Sequence, residues 1–164
     1  MAKQIPTPGH QRLFGRRKGH ELTPKRQALI DDVLPTLRPV ISADARLDLN
    51  GLVPGQDRLW LEIGFGGGEH LAWQAKQNPD VTVIGAEPFI NGVASLLAHV
   101  EDQQLDNVRV LDDDVRPLLD ALPDASLERI MVLFPDPWPK TRHKRRRIVN
   151  PLTVERFAAL LADG

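Results

Sequence analysis

Four carboxylates stand at matching places in this sequence. Glu62, Glu87, Asp114 (beside Asp112 and Asp113) and Asp136 each sit at or just past the end of a short apolar run. A carboxylate accepts hydrogen bonds from paired hydroxyls or from an exocyclic amino group. Glu87 follows Gly64 by 23 residues, about where an acid meets ribose hydroxyls in nucleotide-binding folds. An acid after the third run, either Asp113 or Asp114, suits the amino group of an adenine. Between the first two acids lies Glu62-Ile-Gly-Phe-Gly-Gly-Gly68. Glycine takes positive φ and lets a ligand approach the main chain. A strand, a glycine turn and a helix start together turn backbone N–H groups toward a ligand. The dinucleotide spacing G-x-G-x-x-G is broken, because Glu69 stands where its last glycine belongs. That argues against a nicotinamide dehydrogenase.

These acids need a scaffold that brings strand ends together. The pattern from Arg58 onward alternates strand and helix. Strands are expected at about 58–63, 81–86, 108–111 and 130–134, with helices at about 69–77, around Val93 to Val100, around Leu118 to Leu122, and from Thr153 to Leu161. Such alternation implies an α/β fold with a doubly wound, mostly parallel sheet. In an open sheet of this kind the strand carboxyl ends share one crevice, so Glu62, Glu87, Asp114 and Asp136 converge. Upstream, Thr23-Pro24 reads as a helix cap followed by proline at the first helical position, with the helix running to Pro35. Residues 38–57 read as a linker. The chain divides into an arm, helix and linker at 1–57 and a core at 58–164.

Charge is segregated along the chain. Residues 1–26 and 137–150 hold 13 of the 21 Lys and Arg and one acid, Glu21, whereas the rest of the chain has a net charge of −13. Two basic segments on an acidic remainder point to a polyanionic partner. The first contains Arg12-Leu-Phe-Gly-Arg-Arg-Lys-Gly-His20, a basic stretch with one stackable ring. With no cysteine and five scattered histidines, a disulfide or metal centre is not expected. No apolar run approaches the roughly 20 residues of a membrane span. The start of the chain has no apolar signal region, and a cytoplasmic protein is the expectation.

The least generic stretch is Phe134-Pro-Asp-Pro-Trp-Pro-Lys140, followed by Arg142-His-Lys-Arg-Arg-Arg147. Three prolines in five positions stiffen the chain and hold Asp136, Trp138 and Lys140 in fixed relation. The pattern Glu62-x-Gly64-x-Gly66-x-Gly68 resembles the first motif of class I S-adenosylmethionine methyltransferases. Together with the Pro-Asp-Pro-Trp stretch, the basic run and the basic leader from Arg12, it resembles the bacterial tRNA (guanine-N7)-methyltransferase family.

The resemblance implies a Rossmann-like class I methyltransferase fold. It implies methyl transfer from S-adenosylmethionine to N7 of a guanine in the tRNA variable loop, position 46. By it, Glu62, Gly64, Gly66, Glu87, Asp114 and Asp136 match cofactor-contacting positions. Asp136 also matches the catalytic acid, and Lys140 matches a substrate-contacting lysine. The family has further strands after the fourth, and this chain stops at Gly164, so the carboxy-terminal strands are expected to be missing. The non-enzyme alternative is an RNA-binding module that keeps the fold without turnover.

Overall fold

The computed structural model describes residues 16–41, 47–49, 51, 52 and 55–163, and of Lys144 and Arg145 the backbone alone. The leader residues Arg12, Leu13 and Phe14 lie outside the described residues. The elements are α1 (Pro24–Ala28), a π-turn (Leu29–Val33), α2 (Leu34–Leu37), β1 (Arg58–Ile63), α3 (Glu69–Gln77), β2 (Val81–Ala86), α4 (Ile90–Gln103), β3 (Val108–Leu111), α5 (Arg116–Ala121), β4 (Arg129–Val132), a 3-10 turn (Thr141–Arg146) and α6 (Pro151–Leu160). The strands form one parallel sheet in the order β3-β2-β1-β4. The order reverses between β1 and β4. At such a switch point a crevice opens beyond the strand carboxyl ends.

Alternation along each strand sorts the core into two layers. Trp60, Val83, Val108 and Val110 face α3 and α4, packing with Leu71, Leu96 and Leu97. Leu59, Leu61 and Ile84 face the other way, onto a cluster holding Leu118, Leu127 and Leu160. Truncating a side chain as enclosed as Leu71 costs about 2–5 kcal/mol, whereas a half-exposed ion pair such as Arg38 with Asp112 is worth ~0–1 kcal/mol. The layers, not the surface charges, hold the frame.

Three elements depart from expectation. The first helix does not stop at Pro35. It widens by one residue, with Leu34 N–H donating to Leu29 C=O, and continues to Leu37. The wider turn accommodates a proline that has no N–H and would otherwise crowd the preceding carbonyls. In the span read as a linker, Leu47 and Leu52 are buried with the α5 layer, and Leu47 N–H donates to Ala121 C=O at 3.0 Å. β4 ends at Val132, short of Phe134. Its partner β1 ends at Ile63, Pro135 restricts the residue before it, and Phe134 turns to φ 49 and is fully exposed.

One buried polar side chain fastens the lower end of the sheet. Asn107, 2% exposed, donates from Nδ2 to the carbonyls of Ala75, Asn78 and Val81 at 3.0, 3.0 and 2.8 Å. It thereby ties the end of α3 to the start of β2. Asn107→Ala takes a donor from three carbonyls, of which those of Ala75 and Asn78 keep a backbone partner in Asn78 N–H and Val81 N–H, so we expect a loss of about 1–3 kcal/mol. Urea unfolding reads this as a lower midpoint at unchanged slope. A change below about 0.5 kcal/mol, the scale of an ordinary surface substitution, would contradict the assignment.

Candidate functional site

The glycine turn after β1 is built from left-handed backbone. Gly64, Gly66 and Gly68 have φ of 74, 58 and 83. Phe65 anchors the turn by burial among the α3 and α4 side chains, and Gly64 N–H donates to Ala86 C=O at 2.8 Å. The first turn of α4 then closes on the loop. A Cβ on Gly92 would stand 2.1 Å from the Gly66 carbonyl oxygen, so only glycine allows this approach. A Cβ on Gly64 or Gly66 would meet nothing within 4 Å. Those two glycines leave bare main chain beside open space.

Glu87, past the end of β2, is fastened to that loop. Its Oε2 accepts from Gly66 N–H and its Oε1 from Phe89 N–H, both at 3.0 Å. Each oxygen keeps a lone pair for a further donor. Glu87 lines a crevice of about 230 Å³ with Gly64, Asp113, Asp114, Asp136 and Trp138. The crevice thus gathers the ends of all four strands.

Each acid after β3 has an arginine partner. Arg38 holds Asp112 in a two-pronged pair at 2.7 and 2.8 Å. Burial pushes the Asp112 carboxyl up, but the Arg38 hydrogen bonds and charge outweigh it, and the group sits below its ordinary value. Asp113 Oδ1 accepts from Arg17 at 2.5 Å. Asp114 is paired with Arg116 at 2.9 and 3.0 Å. The segment carrying Arg17 is pinned to α4 as well: Ile90 N–H donates to Arg17 C=O at 3.0 Å, and Asn91 bonds Gly19 N–H and His20 C=O at 2.8 Å each. Residues 17–20 of the basic leader therefore run beside the crevice.

Two expected site residues, Glu62 and Gly66, are not on the crevice lining. Glu62 is 1% exposed and lies against His70 Nδ1 at 2.8 Å. Gly66 is not a lining residue, although its N–H holds Glu87. Lys140 is exposed and lies beyond the crevice lining. Asp136 is exposed on the lining. Trp138 is half-buried, with the Arg146 guanidinium over its ring at 4.9 Å and His143 meeting its edge at 5.7 Å. Burial, and then the charges of Arg146, Arg142 and Lys140, hold His143 below its usual range. The cationic strip therefore carries a neutral imidazole near pH 7.

His70, Arg116 and Asn91 escaped the sequence reading, and the sequence marks Arg147 only as part of the basic run. His70 and Arg116 are each close in sequence to a carboxylate, eight residues after Glu62 and two after Asp114. Neither spacing has a distinctive pattern. No group of His and acidic residues among the described residues has metal-binding geometry. No helix among them is long and apolar enough to cross a membrane.

A family model described as "Putative methyltransferase" matches residues 56–164. The tRNA (guanine-N(7)-)-methyltransferase of Caulobacter vibrioides is 49% identical over 156 residues, covering 95% of this chain and 68% of that protein. Its counterpart in Rhodospirillum rubrum is 51% identical over 157 residues, covering 93% and 62%. That of Paramagnetospirillum magneticum is 54% identical over 156 residues, covering 93% and 66%. This chain thus spans about two thirds of the length of these curated relatives. Among solved structures, the 16S rRNA methyltransferase KamB superposes with a TM-score of 0.53 at 20% identity, covering 77% of this chain and 60% of that one. An antibiotic-related methyltransferase gives 0.51 at 19%, covering 70% and 57%. At these identities the structural likeness is one of fold.

The buried Glu62 carries a pH signature. Burial raises its carboxyl above the ordinary 4.5, with the His70 hydrogen bond and charge pulling the other way. A carboxyl raised in the folded state binds its proton more tightly folded than unfolded. Its contribution to stability is present below the ordinary value and is lost as pH rises through the folded value. Glu62→Gln removes that loss, so the stability of parent relative to variant should fall as pH rises from 4.5 through the raised folded value. Urea unfolding across a pH series measures it. A difference that stays flat over that interval would contradict the assignment.

Proposed function

The chain belongs to the bacterial tRNA (guanine-N(7)-)-methyltransferase family, and on that premise we propose that it transfers a methyl group from S-adenosylmethionine to N7 of a guanine in tRNA, position 46 of the variable loop. The observation that carries the reading is the shared crevice. It sets the bare glycine turn and Glu87 against Asp136 and Trp138, with the basic 3-10 turn directly after. We take residues 58–164 as the catalytic core, 1–57 as the arm, helix and connecting segment that serve it, and the cytoplasm as its place of action.

The residues present fit the cofactor. The open space beside Gly64 and Gly66 admits a ligand against the glycine turn, whose Gly66 N–H is held by Glu87. Glu87, fixed by two backbone N–H groups, is placed to accept from two ribose hydroxyls. Asp113 or Asp114 accepts from the adenine amino group. Glu62, buried behind the turn and bonded to His70, supports the loop from below. Bound there, S-adenosylmethionine supplies an electrophilic methyl on a cationic sulfonium.

The chain's part in the reaction is orientation and charge. Guanine N7 carries a lone pair and no proton, so its attack needs no base. Positive charge grows on the purine as the methyl arrives, and the Asp136 carboxylate faces the place where it grows. A preorganised charge of that kind stabilises the transition state, and in-line placement supplies the rest. Guanine must leave its stack to enter the crevice. Arg146 over one face of Trp138 occupies part of the ring, so any stacking by the base uses what remains. Lys140 and Arg142, both exposed, meet the tRNA backbone.

Two variants test this. Glu87→Ala should weaken S-adenosylmethionine binding by about 1–3 kcal/mol in calorimetry; unchanged affinity would remove Glu87 from the site. Asp136→Asn keeps shape and hydrogen bonding but removes the charge. Methyl transfer to unmodified tRNA should then slow by ~10²–10³-fold, with tRNA affinity near the parent. A parental rate would make Asp136 a turn residue only.

A further inference from the structure

Among the described residues, none hydrogen-bonds the Asp136 carboxylate, so its direction is set by the backbone that carries it. That backbone is constrained. Three prolines fix φ at 135, 137 and 139, and the two large residues Phe134 and Trp138 take left-handed conformations, φ 49 and 37. Bulky side chains persist there only where the surroundings over-determine them.

Among the described residues, two hydrogen bonds tie the loop to the basic segment after it. His143 N–H donates to Lys140 C=O at 2.8 Å, closing the 3-10 turn. Arg147 Nη2 donates to Trp138 C=O at 3.0 Å, nine positions back. Arg147 is in turn anchored by its own carbonyl, which accepts from Asn150 Nδ2 at 2.9 Å. Asn150 caps α6, its Oδ1 accepting from Leu152 and Thr153 N–H at 3.1 and 3.3 Å while its N–H donates to Thr153 Oγ1 at 3.1 Å. A continuous path thus runs from the capped start of α6 through Arg147 to the Trp138 carbonyl. Arg147 is half-buried, with its Nε enclosed and its Nη2 on the Trp138 carbonyl, whereas a phosphate grip needs the guanidinium turned outward.

We infer that Arg147 is a positioning residue: it clamps the Trp138 carbonyl to the start of α6 and so aims the Asp136 carboxylate, and it is not one of the phosphate-gripping residues of the basic run. Its catalytic consequence rests on the reaction proposed above.

The test compares parent, Arg147→Met and Arg147→Lys, each also labelled with 5-fluorotryptophan. The three tryptophans give three fluorine signals, and Trp138→Phe identifies the third. In Arg147→Met the Trp138 signal should move and change width, while those of Trp60 and Trp73 stay in place, which also shows that the fold is intact. The kcat for tRNA methylation should fall about 10- to 100-fold, with KM for tRNA and the salt dependence of tRNA binding unchanged. Arg147→Lys, which keeps a donor, should recover part of both the signal and kcat. The inference is overturned if the Trp138 signal is unmoved in Arg147→Met. It is equally overturned if tRNA affinity drops and its salt slope falls by roughly one, as for a lost phosphate contact, at unchanged kcat. A parent that methylates no tRNA would remove the proposed reaction, and the fluorine spectra would still decide whether the clamp exists.

Discussion

The contact on which the site depends is the one between the Gly66 carbonyl and the place where Gly92 has no side chain. It lets the first turn of α4 close onto the glycine turn after β1. Only with that approach can Glu87 reach Gly66 N–H and hold the loop open toward the crevice. The two kinds of glycine serve opposite needs. Gly92 is required by its neighbours, whereas Gly64 and Gly66 have no neighbour to spare and keep a surface bare. The β1–β2 ladder, which runs to Ile63 and Ala86, fixes the distance between the two strand ends, and the Gly66–Gly92 approach fixes where the loop lies beyond them.

On the other side of β1 the constraint is of a different kind. β4 contributes four residues to the sheet, and the loop beyond it is held by prolines, by left-handed turns and by the basic segment behind it. The basic run is divided in its tasks. Arg146 and Arg147 face inward onto Trp138, so charge that looks like a surface strip in sequence partly serves as internal bracing. The acids after β3 show the same division, since three arginines from three parts of the chain already engage Asp112, Asp113 and Asp114. A ligand entering there meets carboxylates that are oriented in advance.

Much of this was legible from residue order. The limits of β1, β2 and β3 follow from apolar runs closed by acids or by Asn-Pro, because buried parallel strands admit few other residues. The convergence of Glu87, Asp114 and Asp136 follows from the topology alone. What escaped were contacts between residues distant in sequence and without periodicity. The pairing of Arg17 with Asp113 spans 96 positions, and the three-carbonyl role of Asn107 has no local mark. The motif points Glu62 toward the ligand, yet the strand pleat turns it inward to His70. The shortened β4 and the helix that passes Pro35 both show local backbone chemistry overriding an apolar pattern.

The central claim is that this crevice presents a guanine N7 to a methyl donor. The most direct measurement is to incubate the protein with unmodified tRNA and S-adenosylmethionine, then treat the RNA with borohydride and aniline, which cleave the chain at N7-methylguanine. Cofactor-dependent cleavage is expected at one guanine in the variable loop. Methyl incorporation without such cleavage, or cleavage spread over many guanines, would contradict it.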